Sequence, residues 1–153
     1  MAEVEEKAPR EGRVLAMDFG KKRIGLAVSD PLGVTAQGLD TLERTRIRDD
    51  LQALSRVVRD YDVRLIVAGL PLHMSGAESR QGQFTREFSE RLQRETGVAV
   101  RYWDERWTSV QAGRVLRENG VGREKRAAAI DRLSAVILLE SYLDSVRANP
   151  EQD

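Results

Sequence analysis

The 153-residue chain contains no cysteine, which excludes disulfides, zinc–thiolate centres and cysteine nucleophiles. Histidine is nearly absent too: His73 stands alone in the loop Pro71-Leu72-His73-Met74-Ser75-Gly76. Ser75, Ser79 and Thr108 therefore lack the His/Asp apparatus of a serine hydrolase. No apolar run approaches the roughly 18 residues of a membrane span. The acidic N-terminus shows no secretory signal, so a soluble cytoplasmic protein with no membrane partner is expected. Net charge is missing as well, with 25 basic and 25 acidic residues. A tight nonspecific nucleic-acid binder is usually markedly basic, so any such role must come from local charge. Between Arg101 and Arg132 eight basic residues face five acidic ones, a local excess that a mixed-charge helical surface would also show.

What is present fits one domain with one substantial core, since 41% of the residues are apolar. Residues 1–11 are polar and aperiodic and are expected to form a disordered tail, with a single domain over 12–148 and a short tail at 149–153. Three strands are expected near 13–18, 23–30 and 34–40, close enough together to form an antiparallel meander. Ile47, Leu51, Leu54, Val58 and Tyr61 recur at helical spacing. Leu65-Ile66-Val67-Ala68 reads as a buried strand, and Phe84, Phe88 and Leu92 mark a second helix that Gly97 would end. Val98 to Trp103 reads as the last strand, Thr108 and Gln111 have capping-box spacing for a helix that Gly120 would stop, and 125–147 is a long Ala- and Leu-rich helix. Strands alternating with helices in the second half imply parallel pairing. The fold class is thus α/β, a five-stranded mixed sheet with helices on both faces.

Three carboxylates have surroundings unsuited to ordinary solvated charges. Asp18 ends the first strand, in Val14-Leu15-Ala16-Met17-Asp18-Phe19-Gly20. Glu105 follows the last strand, and Asp131 sits in Ala127-Ala128-Ala129-Ile130-Asp131-Arg132-Leu133-Ser134-Ala135, near the start of a core-like helix. Ligands of open α/β sheets gather at the carboxyl ends of strands, which would bring Asp18 and Glu105 to one rim, and a helix crossing the sheet could add Asp131. Converging carboxylates raise one another's pKa unless a cation intervenes. Mg²⁺, or Mn²⁺, prefers such oxygen ligands and bridges to substrate phosphate. Lys21, Lys22 and Arg23 lie between two glycines and fit either phosphate contacts or a plain polar hairpin turn. Arg106 either orients Glu105 or meets phosphate, and Arg132 flanks Asp131 in the same basic stretch. Trp107 is the better placed of two tryptophans for stacking on a base, while Trp103 reads as core.

Asp18-Phe19-Gly20-Lys21-Lys22-Arg23-Ile24-Gly25-Leu26-Ala27, Ser29-Asp30-Pro31, Gly69-Leu70-Pro71-Leu72, Asp104-Glu105-Arg106 and Ile130-Asp131-Arg132-Leu133-Ser134-Ala135 resemble the YqgF/RuvX family from about residue 13 to about 144. Its members are described as pre-16S rRNA nucleases or Holliday junction resolvases. The resemblance implies an RNase H-like fold and a divalent-metal nuclease with Asp18, Glu105 and Asp131 as the catalytic, metal-holding triad. It implies a nucleic-acid partner, for which Lys21, Lys22, Arg23, Arg106, Trp107 and Arg132 are candidate contacts on their own chemistry. It favours the 5′ end of pre-16S ribosomal RNA as substrate and a four-way DNA junction as the alternative. Where this chain has Lys21, Trp107 and His73, family members tend to carry a small polar residue, Leu and Asn. These departures touch neighbours of the triad and leave the triad intact.

Other classes fit less well. An actin-like or sugar-kinase-like ATPase also begins with Asp-x-Gly and a hairpin, but it needs a second domain and a second phosphate loop. The Asp18-Phe19-Gly20 triplet echoes a kinase motif, yet no His-Arg-Asp loop precedes it. A non-catalytic ribosome-assembly factor on a nuclease-like fold gains nothing from clustered negative charge facing phosphate. No dimer interface is legible in the sequence, so a monomer or weak homodimer is expected.

Overall fold

The computed structural model describes residues 12–70, 80–104 and 123–148, the side chains of the last segment from residue 129 onward. Strand β1 (Arg13–Phe19) turns into β2 (Arg23–Ser29), which continues through a loop into β3 (Ala36–Glu43). Helix α1 (Ile47–Asp60), strand β4 (Val63–Leu70), helix α2 (Arg80–Thr96), strand β5 (Val100–Asp104) and helix α3 (Arg123–Ala148) follow. The five strands form one sheet in the order β3-β2-β1-β4-β5. β1 pairs antiparallel with β2 and β2 with β3, whereas β4 lies parallel to both β1 and β5. The expected meander and parallel pair are both present. The expected helix between Thr108 and Gly120 lies outside the described residues, as do the two expected tails.

Period-two alternation sends successive side chains of each strand to opposite faces. Leu15, Met17 and Phe19 of β1 pack with Leu51, Leu54 and Val58 of α1 and with Phe88 and Leu92 of α2. Val14 and Ala16 face the other way, onto Ala135, Leu138, Leu139 and Tyr142 of α3. Both faces of the central strands are therefore covered, which is why these strands read as nearly unbroken apolar runs. Trp103 belongs to the α3 side, edge-on to Tyr142 at 5.5 Å and donating from Nε1 to Ser141 Oγ at 3.0 Å, as its core reading requires.

Two strands start later than their sequence indicates, each because side chains capture the backbone first. The Asp30 carboxylate accepts from the N–H groups of Leu32, Val34 and Thr35 at 3.1, 2.8 and 2.7 Å. That local closure holds 31–35 as a loop, and β3 begins at Ala36 and runs on to Glu43. Likewise Thr96 Oγ1 accepts from Val98 N–H and Gln93 Oε1 from Val100 N–H, so β5 spans Val100–Asp104 rather than starting at Val98. Gly97 does end α2, its N–H bonding the Gln93 carbonyl at 2.8 Å.

The hydrogen bonds on Asp30, Thr35 N–H foremost, lower its pKa from 3.8 to about 2. A carboxyl whose folded pKa is depressed contributes stability above its unfolded pKa and loses it as pH falls through the folded one. Asp30 is thus expected to support the β2–β3 loop at pH 4 and above and to release it as pH falls toward 2. Carboxyl chemical shifts followed by NMR would show this, and an Asp30 midpoint near 4 would contradict it.

Candidate active site

Asp18 is the sixth residue of β1 and, by the alternation that turns Val14 and Ala16 toward α3, its side chain faces α3. It is 6% exposed. Across the ladder Asp18 pairs with Gly25. A Cβ at Gly25 would fall 1.9 Å from the Asp131 carbonyl oxygen, so α3 lies directly on the β2 backbone at the residue opposite Asp18. Only a glycine permits that approach. Ser134 and Ala135, both fully buried, continue the small-residue contact along the helix.

The Asp131 carboxyl consequently sits between the β1–β2 turn and Arg23. Its Oδ1 lies 3.4 Å from where a Gly20 Cβ would stand, and its Oδ2 accepts from Arg23 Nε at 2.9 Å. Burial pushes the Asp131 carboxyl above the ordinary value, and the Arg23 hydrogen bond and charge offset this in part. A carboxyl desolvated in this way favours a cation beside it. Glu105, Arg106 and Trp107 lie outside the described residues, as does His73; β5 is described up to Asp104, opposite Leu70. Among the described residues no group of three His, Asp or Glu side chains that could hold a metal is found; Asp18 and Asp131 share Gly25 as a neighbour, the one across the ladder and the other through its backbone.

Lys21 and Lys22 are exposed in the turn, closed by the Gly20 N–H to Arg23 carbonyl bond at 2.8 Å. Arg132 lies on the outer side of α3 toward β3, where Nη2 bonds Asp40 Oδ1 at 3.1 Å. Two residues that sequence reasoning missed hold the turn from below. Arg44 donates from Nη1 to the Gly20 and Lys21 carbonyls at 2.6 and 3.3 Å, and its guanidinium lies 4.5 Å from the centre of the Phe84 ring. Gln81 Nε2 reaches the Phe19 and Gly20 carbonyls at 3.4 and 3.5 Å. The buried Asp50 carboxylate fixes the neighbouring connection by accepting from Thr45 N–H and Oγ1. No sequence signal marks Arg44, because its target lies 24 residues away; the Phe84–Phe88 stripe was the only local trace. Arg44→Ala is expected to lower stability by about 1–2 kcal/mol and to raise KM for nucleic acid more than it lowers kcat. Unchanged melting and KM would remove Arg44 from the site's support.

A cavity of about 210 Å³ opens at the other end of β1, between Val14, Ser29, Leu32, Tyr142 and Leu143, and no acidic residue among those described lines it.

A mixed five-stranded sheet in this order with helices on both faces is the RNase H-like fold, and the family it matches and its relatives make the chain a nuclease, a hydrolase of phosphodiester bonds. Thermus thermophilus RuvC in complex with Holliday junction substrate has the same fold, with a TM-score of 0.55 at 14% identity, covering 89% of this chain and 96% of that one. Residues 12–145 match the family RuvX, described as Holliday junction resolvase. The chain is 52% identical over 141 residues to a Koribacter versatilis protein, covering 92% of each. It is 45% identical over 137 residues to one from Moorella thermoacetica, covering 90% of this chain and 98% of that protein. Both relatives bear the name "Putative pre-16S rRNA nuclease". The chain belongs to the RuvX family. Among the described residues no helix is long and apolar enough to cross a membrane.

Proposed function

We propose that the chain is a divalent-metal-dependent endonuclease that processes the 5′ end of pre-16S ribosomal RNA in ribosome biogenesis, with Asp18, Glu105 and Asp131 holding Mg²⁺ or Mn²⁺. One observation carries this reading: α3 lies so close on Gly25 that Asp131 is delivered to the α3-facing side of the sheet where Asp18 is buried. Two desolvated carboxylates are a donor set suited to a hard cation, whose oxygen preference matches them. When bound, such an ion supplies charge stabilisation at the phosphoryl oxygens and lowers the pKa of a water.

The chain's own residues do the rest. Asp18, pinned in the ladder, and Asp131, pinned by the helix contact, present oxygens on rigid elements, so little reorganisation accompanies the reaction. Lys21 and Lys22 meet backbone phosphates as point charges at the mouth of the site, with Arg106 and Trp107 as further contacts. Arg132 would have to exchange Asp40 for phosphate to join them. The names of the curated relatives support RNA as substrate. The family description supports the second reading, a four-way DNA junction, which needs paired symmetric cuts and hence a dimer.

The test is cleavage of a labelled pre-16S RNA fragment and a four-way junction side by side, with Mg²⁺ or Mn²⁺. Metal-dependent cutting of the RNA, lost in Asp18→Asn and Asp131→Asn, is expected. Symmetric cutting of the junction alone would move the assignment to DNA, and no cutting by folded wild type would move it to a binding factor.

A further inference from the structure

We propose that Arg23 is a resident counter-cation for Asp131, that a divalent ion competes with it for that carboxylate, and that the displaced guanidinium then serves the substrate's phosphate. The inference rests on the metal-holding reading of Asp18 and Asp131.

The backbone of Arg23 cannot move. Its carbonyl accepts from Gly20 N–H at 2.8 Å, and the residue pairs with Glu43 at the start of the β2–β3 ladder. Asp131 cannot follow it either, because α3 is seated on Gly25. Any exchange between them is therefore a rotation of one side chain. The bond to be exchanged is single, Nε to Oδ2 at 2.9 Å, not the two-pronged fork with which Arg holds a carboxylate most firmly. The two side chains keep 24% and 19% of their surface exposed, so an ion reaches the pair without the core opening.

Charge decides the direction. With no ion bound, Arg23 offsets the charge of the half-buried Asp131 carboxylate. With a dication on Asp131, a guanidinium within bonding distance of the same carboxylate meets a like charge instead. The planar fork of Arg suits phosphate oxygens, which arrive at the same mouth between Lys21 and Lys22. A merely orienting Arg behaves oppositely: removing it would loosen Asp131 and weaken metal binding.

The experiment titrates Mn²⁺ into the full-length protein without nucleic acid, reading free ion by electron paramagnetic resonance, for wild type, Arg23→Gln and Asp131→Asn of verified fold. Arg23→Gln is expected to bind Mn²⁺ about two- to fivefold more tightly, the range that loss of one partly exposed ion pair allows, while its KM for nucleic acid rises. Equal or weaker binding overturns the proposal. Wild type supplies a second readout should the variant not fold: Mg²⁺ should move the Arg23 Nε–H resonance out of its carboxylate-bonded position, and an unmoved resonance at saturation overturns the proposal. Asp131→Asn separates the two readings. If it leaves Mn²⁺ binding intact, the metal site itself is misassigned and both fail. If it abolishes binding while Arg23→Gln fails to tighten it, only the competition fails.

Discussion

Asp18→Asn is expected to reduce cleavage at least about a hundredfold while leaving the fold intact. Loss of an outer partner that merely orients a metal ligand already costs roughly 10–100-fold, and Asp18 is proposed as a ligand itself. The amide keeps the size of the carboxylate and its place in the β1–β2 ladder opposite Gly25, so shape is conserved and charge alone is removed. Asp18 is buried on the side of the sheet to which α3 delivers Asp131. The isosteric amide should keep the protein folded at ordinary temperature while activity falls, since the carboxylate charge is what a metal ligand supplies. Thermal unfolding and cleavage assays on the same preparation test both halves. Retained cleavage would remove Asp18 from the chemistry, and a collapse in melting temperature would recast it as a structural residue.

Gly25→Ala is expected to be the most damaging glycine-to-alanine change among the described residues. The added Cβ would stand 1.9 Å from the Asp131 carbonyl oxygen and 2.6 Å from its carbon. These are backbone atoms of a helix packed on the sheet, and they cannot step aside as a side-chain tip does. Overpacking of this kind costs about 3 kcal/mol or more, which for a chain of this size corresponds to a melting temperature lowered by roughly 6–12 °C. Activity should fall beyond what stability explains, because relieving the clash lifts Asp131 away from Asp18. Gly38→Ala is the control. Its Cβ would meet Arg132 Cγ at 2.7 Å and Val136 Cγ2 at 3.3 Å, side chains that can rotate, so a loss of about 1 kcal/mol with cleavage retained is expected. Equal denaturant midpoints for Gly25→Ala and wild type would show that the helix does not depend on this contact.

Most elements were legible in advance because their signals are local. The apolar runs at Val14–Met17 and Leu65–Ala68 mark strands covered on both faces, and Leu51, Leu54 and Val58 mark the buried stripe of α1. The strand starts at Ala36 and Val100 were not legible, because Asp30, Thr96 and Gln93 take backbone N–H groups that the ladder would otherwise use. Asp18 and Asp131 stood out as carboxylates inside apolar segments, a mismatch visible in one dimension. Their convergence was expected from the strand-end rule and the family resemblance, but the Arg23 bond and the Arg44 clamp were not visible, since each joins residues far apart in the chain.

The sequence by itself determined which segments are strands and helices and which carboxylates are out of place, since periodicity and composition act between near neighbours. Only the tertiary structure decided that Gly25 is where α3 comes down, that Asp131 arrives there with Arg23 already on it, and that Arg44 holds the intervening turn. Those outcomes depend on how closely two backbones can approach, which is set by the shape of the whole core rather than by any local run of residues.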